Sequence, residues 1–359
     1  MSFDKILIIV MAIFSCIGGL DRIFGNRLGI GNVFEKGILT IGQLALSMIG
    51  IMVLAPIIAE LFDPVFSLYR LMGFDPAVLA GSLLACDMGG AQLASSLTAD
   101  VDMAQFGGIV VSSMLGVTVS FTIPVAMQAV SETDRTYVSK GILCGIVTVP
   151  IGCFVGGMVA GLPLKAVLFN CMPILLLALL IAAGLWKAER HLIKGFQVFG
   201  KLLIAVAMIG LVAAGVELTT DFVMIQGLGS IEEAFVTVGE IAIVLSGALP
   251  LMSLITKLLN SLLTKIGRFM NINTVSVSGL LSTLANSIVT FDSIKDMDDR
   301  GKILNMAFAV SGAFILGDHL AFAAGYAPEV IPAMLVGKFT AAVTSVCIAL
   351  IVSKEKKHV

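Results

Sequence analysis

The chain has 359 residues, of which 58% are hydrophobic and only 13% charged, with a formal net charge of −2 and mean hydropathy +1.05. A soluble domain carries about 25% charged residues, so a soluble protein is excluded, and no polar stretch is long enough to build a large soluble domain. Net charge says little here; the placement of the charges says more, and no nucleic-acid partner is expected. Apolar segments fall at 6–20, 37–59, 76–99, 103–130, 141–163, 166–186, 202–216, 234–256, 272–291, 303–323 and 330–352. Most are long enough to span the hydrocarbon core of a bilayer. Phe3-Asp4-Lys5 runs straight into the first with no small-residue cleavage site, so no cleavable signal is expected. Asp21-Arg22 closes that segment and reads as an interfacial ion pair. Trp186 beside Lys187 reads as an interfacial aromatic, and Lys354-Glu355-Lys356-Lys357 as a cytoplasmic anchor.

Familiar chemical motifs are missing. The six cysteines, at 16, 86, 144, 153, 171 and 347, lie in apolar stretches without a CxxC pair and read as buried, space-filling thiols. The histidines at 191, 319 and 358 have no metal-ligand spacing, and no GxGxxG, Walker or nucleophile-elbow pattern is present. No metal, cofactor or enzymatic activity is expected.

The chain repeats itself. Ile13, Gly19 and Asp21 match Ile209, Gly215 and Glu217 at an offset of 196. Thr40, Gly42, Ala45, Gly50, Leu54 and Ile58 match Thr237, Gly239, Ala242, Gly247, Leu251 and Ile255 at 197. Leu83-Leu84 matches Leu280-Leu281, Asp102 matches Asp299, and Val147-Thr148 matches Val343-Thr344. A nearly constant offset over five segments defines repeat 1 (1–163), a linker transmembrane helix (164–194) and repeat 2 (195–359).

Lysine and arginine placement orients the copies. If all eleven segments cross, alternate loops show no bias. If 76–99 and 272–291 instead enter and leave on one side, 18 basic residues fall on one face. Only Lys5, Arg70 and Lys165 fall on the other, with Lys338 inside a segment. The expected fold is therefore all-α and polytopic. Two inverted repeats each hold a re-entrant or broken helix, the N-terminus lies outside, and the C-terminus is cytoplasmic.

The two expected breaks are the most polar of the apolar segments. Asp87 is the only charge in 77–99. A carboxylate at that depth costs several kcal/mol, so it faces a cavity, a partner or a substrate. Gly89 and Gly90 behind it let the backbone open or pack closely. Asn286 falls opposite Gly89 in the repeat, and Leu284 opposite Asp87. Asp318-His319 forms a second intramembrane pair, suited to proton sensing or substrate contact. Glu240, whose repeat mate is Gln43, is a weaker candidate for the same pathway. These charges are mostly acidic, with His319 and Lys338 as basic companions. The site favours a cation held by one carboxylate, by carbonyls of a broken helix and by an aromatic face such as Phe291.

At these residues the sequence resembles the ethanolamine permease family of bacterial ethanolamine-utilisation operons. The resemblance covers essentially the whole chain. It rests on 84–90 (LACDMGG), 145–153 (GIVTVPIGC), 283–286 (TLAN), 299–302 (DRGK), 307–311 (AFAVS) and 317–320 (GDHL). It implies uptake of ethanolamine, mainly as the protonated amine, by a multi-pass protein of the bacterial cytoplasmic membrane. The lipid bilayer is then its surroundings, and homo-oligomerisation stays open. The rival expectation is an ion-coupled carrier of another small cationic or zwitterionic solute.

Overall fold

The computed structural model describes residues 3–353, apart from the side chains at 3, 4, 256, 259–264, 266 and 268. Lys354, Lys356, Lys357 and the Arg268 side chain, counted above on the basic face, lie outside the described residues. Among the described residues every element is helical. Eight helical stretches are long and apolar enough to cross a membrane. They are Lys5–Ile23, Gly31–Leu61, Val101–Ala129, Arg135–Val159, Leu164–Lys187, Glu189–Thr220, Ile231–Ile255 and Pro328–Val352. Leu164–Lys187 shows how they are placed. It buries Val167, Cys171, Ile174, Ala178, Ile181 and Leu185, a stripe at helical spacing. Its opposite face exposes Leu168, Met172, Leu175, Leu176, Leu179 and Leu180, which only lipid accepts. This is a multi-pass membrane protein.

The remaining segments are interrupted. In the first, Asp75 caps the helix Pro76–Leu83 by accepting the Ala77 N–H at 2.9 Å. Leu84 and Ala85 are extended, Cys86–Met88 makes a tight turn, and Gly90–Leu97 resumes the helix. The Thr98 hydroxyl donates to Asp75 at 2.9 Å, so the segment ends where it began. In the second, Thr274–Ala285 stops at an extended Asn286 and Ser287–Ser293 follows. The Thr290 hydroxyl donates to the Gly279 carbonyl at 2.8 Å. Eleven residues of straight helix would separate them by about 16 Å, so this segment also folds back. Asp298 closes its mouth, accepting from the Asn273 N–H at 2.8 Å and the Ser276 hydroxyl at 2.7 Å.

A third interruption falls within the apolar segment 303–323, where the Asp318–His319 pair leaves a helix break open as an alternative to a functional site. Asp299–Gly312 stops, 313–317 is non-helical, and Asp318–Tyr326 restarts. The reason lies in the neighbouring hairpin, whose first arm ends with unpaired carbonyls. The Phe314 N–H donates to Thr283 O at 3.0 Å and the Leu316 N–H to Leu284 O at 2.9 Å. The corresponding stretch in the first half, Val101–Ala129, stays continuous but widens into π turns at Phe106–Gly116 and Thr118–Thr122.

The halves exchange the same contact. A Cβ on Gly50 would lie 1.6 Å from the Ala207 carbonyl, and one on Gly247 would lie 2.0 Å from the Met11 carbonyl. These pairs correspond at the repeat offset. In each, the second helix of one half packs on the first helix of the other at a distance only glycine permits.

Two smaller expectations change. Asp21 does not pair with Arg22, because adjacent residues on a helix do not face each other. It accepts the N–H groups of Leu28 (2.7 Å), Ile30 (3.0 Å) and Gly31 (2.8 Å), which the start of Gly31–Leu39 would otherwise leave unpaired. Arg22 instead pairs with Glu35 at 2.8 Å. All six cysteines are free thiols, but Cys16 and Cys347 are exposed rather than buried.

One largely buried ion pair ties the turn before Arg135–Ile146 to the helix Asp299–Gly312. Lys302 Nζ lies 2.6 Å from Asp134 Oδ1, and 5.6 Å from the centre of the Tyr137 ring. The hydrogen bond from Lys302 holds the Asp134 carboxyl below the usual carboxylate range. An acid lowered in the folded state stabilises the fold above its unfolded pKa of about 3.9. That contribution disappears as pH falls through the folded value. We expect Asp134→Asn to cost about 1.5–3 kcal/mol near neutrality. In a thermal-unfolding series carried into acid, the gap between native and variant midpoints should close. A gap that is constant with pH would refute this.

Candidate functional site

A cavity of about 570 Å³ lies where the hairpin tips and the 313–317 break converge. The tip and break residues that line it, Asp87, Met88, Asn286, Phe314 and Asp318, form its floor, and Thr40, Gln43, Ser47, Ser120, Phe121, Gln128, Gln197 and Lys201 line the rest.

Local backbone geometry delivers each group. Gly89 has φ +87°, the left-handed region that turns the chain from Cys86–Met88 into Gly90–Leu97. A Cβ there would also strike Ile51 at 2.2 Å. One on Gly90 would meet the Leu84 and Ala85 carbonyls, both at 2.7 Å. Together they hold Asp87 at the tip, its side chain 21% exposed. Asn286 caps Ser287–Ser293, its Oδ1 accepting the Ile288 N–H at 2.9 Å. That fixes the orientation of the amide, with one lone pair of the oxygen and the NH₂ group left to the cavity. Asp318 begins Asp318–Tyr326, where the helix dipole favours negative charge.

His319, one residue on, lies on a different face and is fully buried. Its Nε2 is 3.9 Å from Asp87 Oδ1 and has no hydrogen-bond partner. Its Nδ1 is 3.1 Å from Lys338 Nζ. Lys338 is also fully buried and donates to the Ser113 carbonyl. With Lys338 as an ammonium, Nδ1 accepts and the ring proton sits on Nε2, toward Asp87; with Lys338 as a neutral amine the two roles reverse. Cys86, Asp87 and His319 each place one donor atom within 4.8 Å of the others, the spacing of a metal cluster. A metal-bound imidazole passes its other N–H to an acceptor. Here that nitrogen meets Lys338, and 3.9 Å still separates the imidazole from the Asp87 carboxylate, so the groups adjoin without a continuous hydrogen bond.

The structure thus brings Asp87, Asn286 and Asp318 to one cavity and sets His319 behind Asp87. It places Phe291 elsewhere, buried and outside the cavity wall. The aromatic faces are Phe121 and Phe314 instead, packed edge to face with centroids 5.6 Å apart. Glu240 is exposed and away from the cavity, although its repeat mate Gln43 lines it. Lys338 was visible in the sequence as a lone charge within an apolar helix, the same signal that marks Asp87. Its pairing was not visible.

Residues 3–352 match the family described as "Ethanolamine utilisation protein, EutH". The chain belongs to the EutH family. It is 46% identical to the probable ethanolamine permease EutH of Listeria monocytogenes serotype 1/2a (strain 10403S), across 98% of this chain and 94% of the relative. The probable ethanolamine permeases EutH of Salmonella typhimurium LT2 and Escherichia coli K12 are 39% and 38% identical, across 98% and 99% of this chain and 95% and 97% of theirs. No solved structure matches the chain.

In this EutH family member the turn at Gly89 fixes where the carboxylate stands. We expect Gly89→Ala to lose about 1–3 kcal/mol from the left-handed backbone alone, with a further loss from the Ile51 contact. Adding Ile51→Ala should recover only the steric part, read as a partial return of the thermal midpoint. Full recovery would show that the backbone conformation carries no strain.

Proposed function

We propose that the protein is an ethanolamine permease, a carrier rather than an enzyme, which moves the protonated amine across the bacterial cytoplasmic membrane. The observation that carries this reading is the convergence of Asp87, Asp318 and Asn286 on one cavity floor. Two carboxylates suit an ammonium, and the faces of Phe121 and Phe314 add cation–π attraction. The amide NH₂ of Asn286, oriented by the bond that its oxygen accepts from Ile288, suits the substrate hydroxyl oxygen. The names of the relatives point to the same substrate.

Two features support inverted repeats (1–163 and 195–359) joined by the linker helix at 164–194. One is the reciprocal glycine contact. The other is that the hairpin mouths stand at opposite charge faces. The Asp75–Thr98 mouth sits with Arg70, whose guanidinium donates to Leu97 O at 3.4 Å, and with Asn170, a turn beyond Lys165. The Asn273–Asp298 mouth sits among Lys295, Arg300 and Lys302. In this reading both hairpins are re-entrant and the C-terminus is cytoplasmic. The cavity then faces the cytoplasm, and the outer side is sealed by the Ser95–Tyr326 hydroxyl contact at 3.0 Å and by Gln105 against Glu329.

We expect Asp87→Asn to reduce uptake of labelled ethanolamine into proteoliposomes by about 10- to 150-fold, the equivalent of about 1.5–3 kcal/mol for a charged hydrogen bond. Native rates in that variant would end the proposal. Asn286→Ala should weaken competition by ethanolamine but leave competition by ethylamine, which lacks the hydroxyl, unchanged. For topology, single cysteines at the repeat mates Asp102 and Asp299, both exposed, should be labelled from opposite faces of the membrane. Labelling from one face would sink the inverted arrangement.

A further inference from the structure

Lys338 is the most deeply buried cation among the described residues, and ethanolamine binding makes no direct use of it. It does not line the cavity. Its Nζ reaches the Ser113 carbonyl and His319 Nδ1. Of the polar groups around it, only His319 leads onward, through the unpartnered Nε2 aimed at Asp87. The other titratable groups facing this chain are the buried thiols of Cys86 and Cys153, beside Lys338, and Asp318, which shares the cavity floor with Asp87. Lys201 also lines the cavity, and Lys36 lies on the far side of Asp318 from this chain of groups, outside the lining.

We propose that Lys338 is an internal proton store that acts through His319 to switch Asp87 between a substrate-binding carboxylate and a neutral acid. The inference rests on the permease reading and deepens it. In the loaded carrier the store is full: Lys338 is an ammonium and the Asp87 carboxylate holds the substrate cation. When the substrate leaves, Lys338 Nζ–H breaks as His319 Nδ1–H forms, and His319 Nε2–H breaks as an O–H forms on Asp87. The imidazole ends neutral in its other tautomer, and no proton enters from water. Asp87 must close from 3.9 Å to hydrogen-bond range for the transfer. The empty carrier then buries a neutral amine and a neutral acid in place of a separated ion pair, the costly arrangement in an apolar interior. Substrate entry reverses both transfers. Lys338 and His319 are positioning residues here, since neither touches the substrate.

Arginine separates this role from simple charge compensation, because it keeps the cation but does not release its proton. Wild-type and Lys338→Arg proteins are reconstituted in liposomes, and two rates are measured with labelled ethanolamine. One is exchange against internal unlabelled ethanolamine, in which the carrier crosses only loaded. The other is net uptake into empty vesicles, which requires the unloaded carrier to return. Lys338→Arg should keep exchange within about threefold of native and lose net uptake at least tenfold. Where arginine does not fit, His319→Gln keeps hydrogen-bonding groups but breaks the relay, and it should show the same split. Native net uptake in both variants overturns the proposal. So does an equal loss of exchange and net uptake in folded protein, which would mark a structural or purely electrostatic role. Absence of ethanolamine exchange by the wild-type protein would count against the permease reading itself.

Discussion

Main-chain polar groups opened inside an apolar phase must find partners, and that requirement organises the centre of this protein. Each unmatched group at membrane depth costs several kcal/mol, and three helix interruptions meet around one cavity. At the first tip the Ser112 hydroxyl donates to the Leu84 carbonyl. Ser120 accepts the Ala85 N–H at 3.2 Å and donates to Gly116 O at 2.7 Å. At the second tip the partners are main-chain groups, the N–H of Phe314 and Leu316 on the carbonyls of Thr283 and Leu284. Equivalent helices in the two halves therefore support equivalent breaks by different means. One stays continuous, widens into π turns and offers hydroxyls. The other opens and offers backbone. Because it opens, a new helix begins at Asp318, and its first residues arrive at the cavity.

Under the proposed repeat the frame recurs but the charge does not. Leu284 answers to Asp87, Thr122 answers to His319 at the offset that relates Asp102 to Asp299, and Gly141 and Ile142 bracket the position answering to Lys338. If the halves share one geometry, an unequal charge distribution needs its own cause. The proposed single small cation would supply one, since a second buried carboxylate–imidazole–lysine group would add desolvation cost without a second ligand.

The parts of the site legible in the sequence were those with a one-dimensional signature. Asp87, Asn286 and Asp318 stood out because a polar residue in an apolar run must be accounted for, and the glycines beside Asp87 announced a turn. The break at 313–317 was only half legible: Gly317-Asp318-His319 allowed a helix break, but 303–316 reads as apolar helix, and the carbonyls that pair with the opened backbone lie some thirty residues away in sequence. Phe291 failed for a related reason. The short helix Ser287–Ser293 turns the face that carries Thr290 and Phe291 into the protein, whereas Ile288 and Asn286 face the cavity. Asp21 likewise looked like half of a surface pair until the loop that it caps came into view. Spacing along the chain locates a polar residue; its partner depends on elements distant in sequence.

The Asp87–His319 approach crosses the seam between the halves, with Asp87 on a tip from the first and His319 and Lys338 on helices from the second. On the same seam, the contacts at Gly50 and Gly247 bring backbone against backbone, and the Ser15 and Ser246 hydroxyls hydrogen-bond beside the second at 2.9 Å. A gap of 3.9 Å between Nε2 and a carboxylate oxygen is about 1 Å too long for a hydrogen bond, so the proposed relay requires the two sides of this seam to approach by about that much, and it would then tie their spacing to the protonation of Asp87.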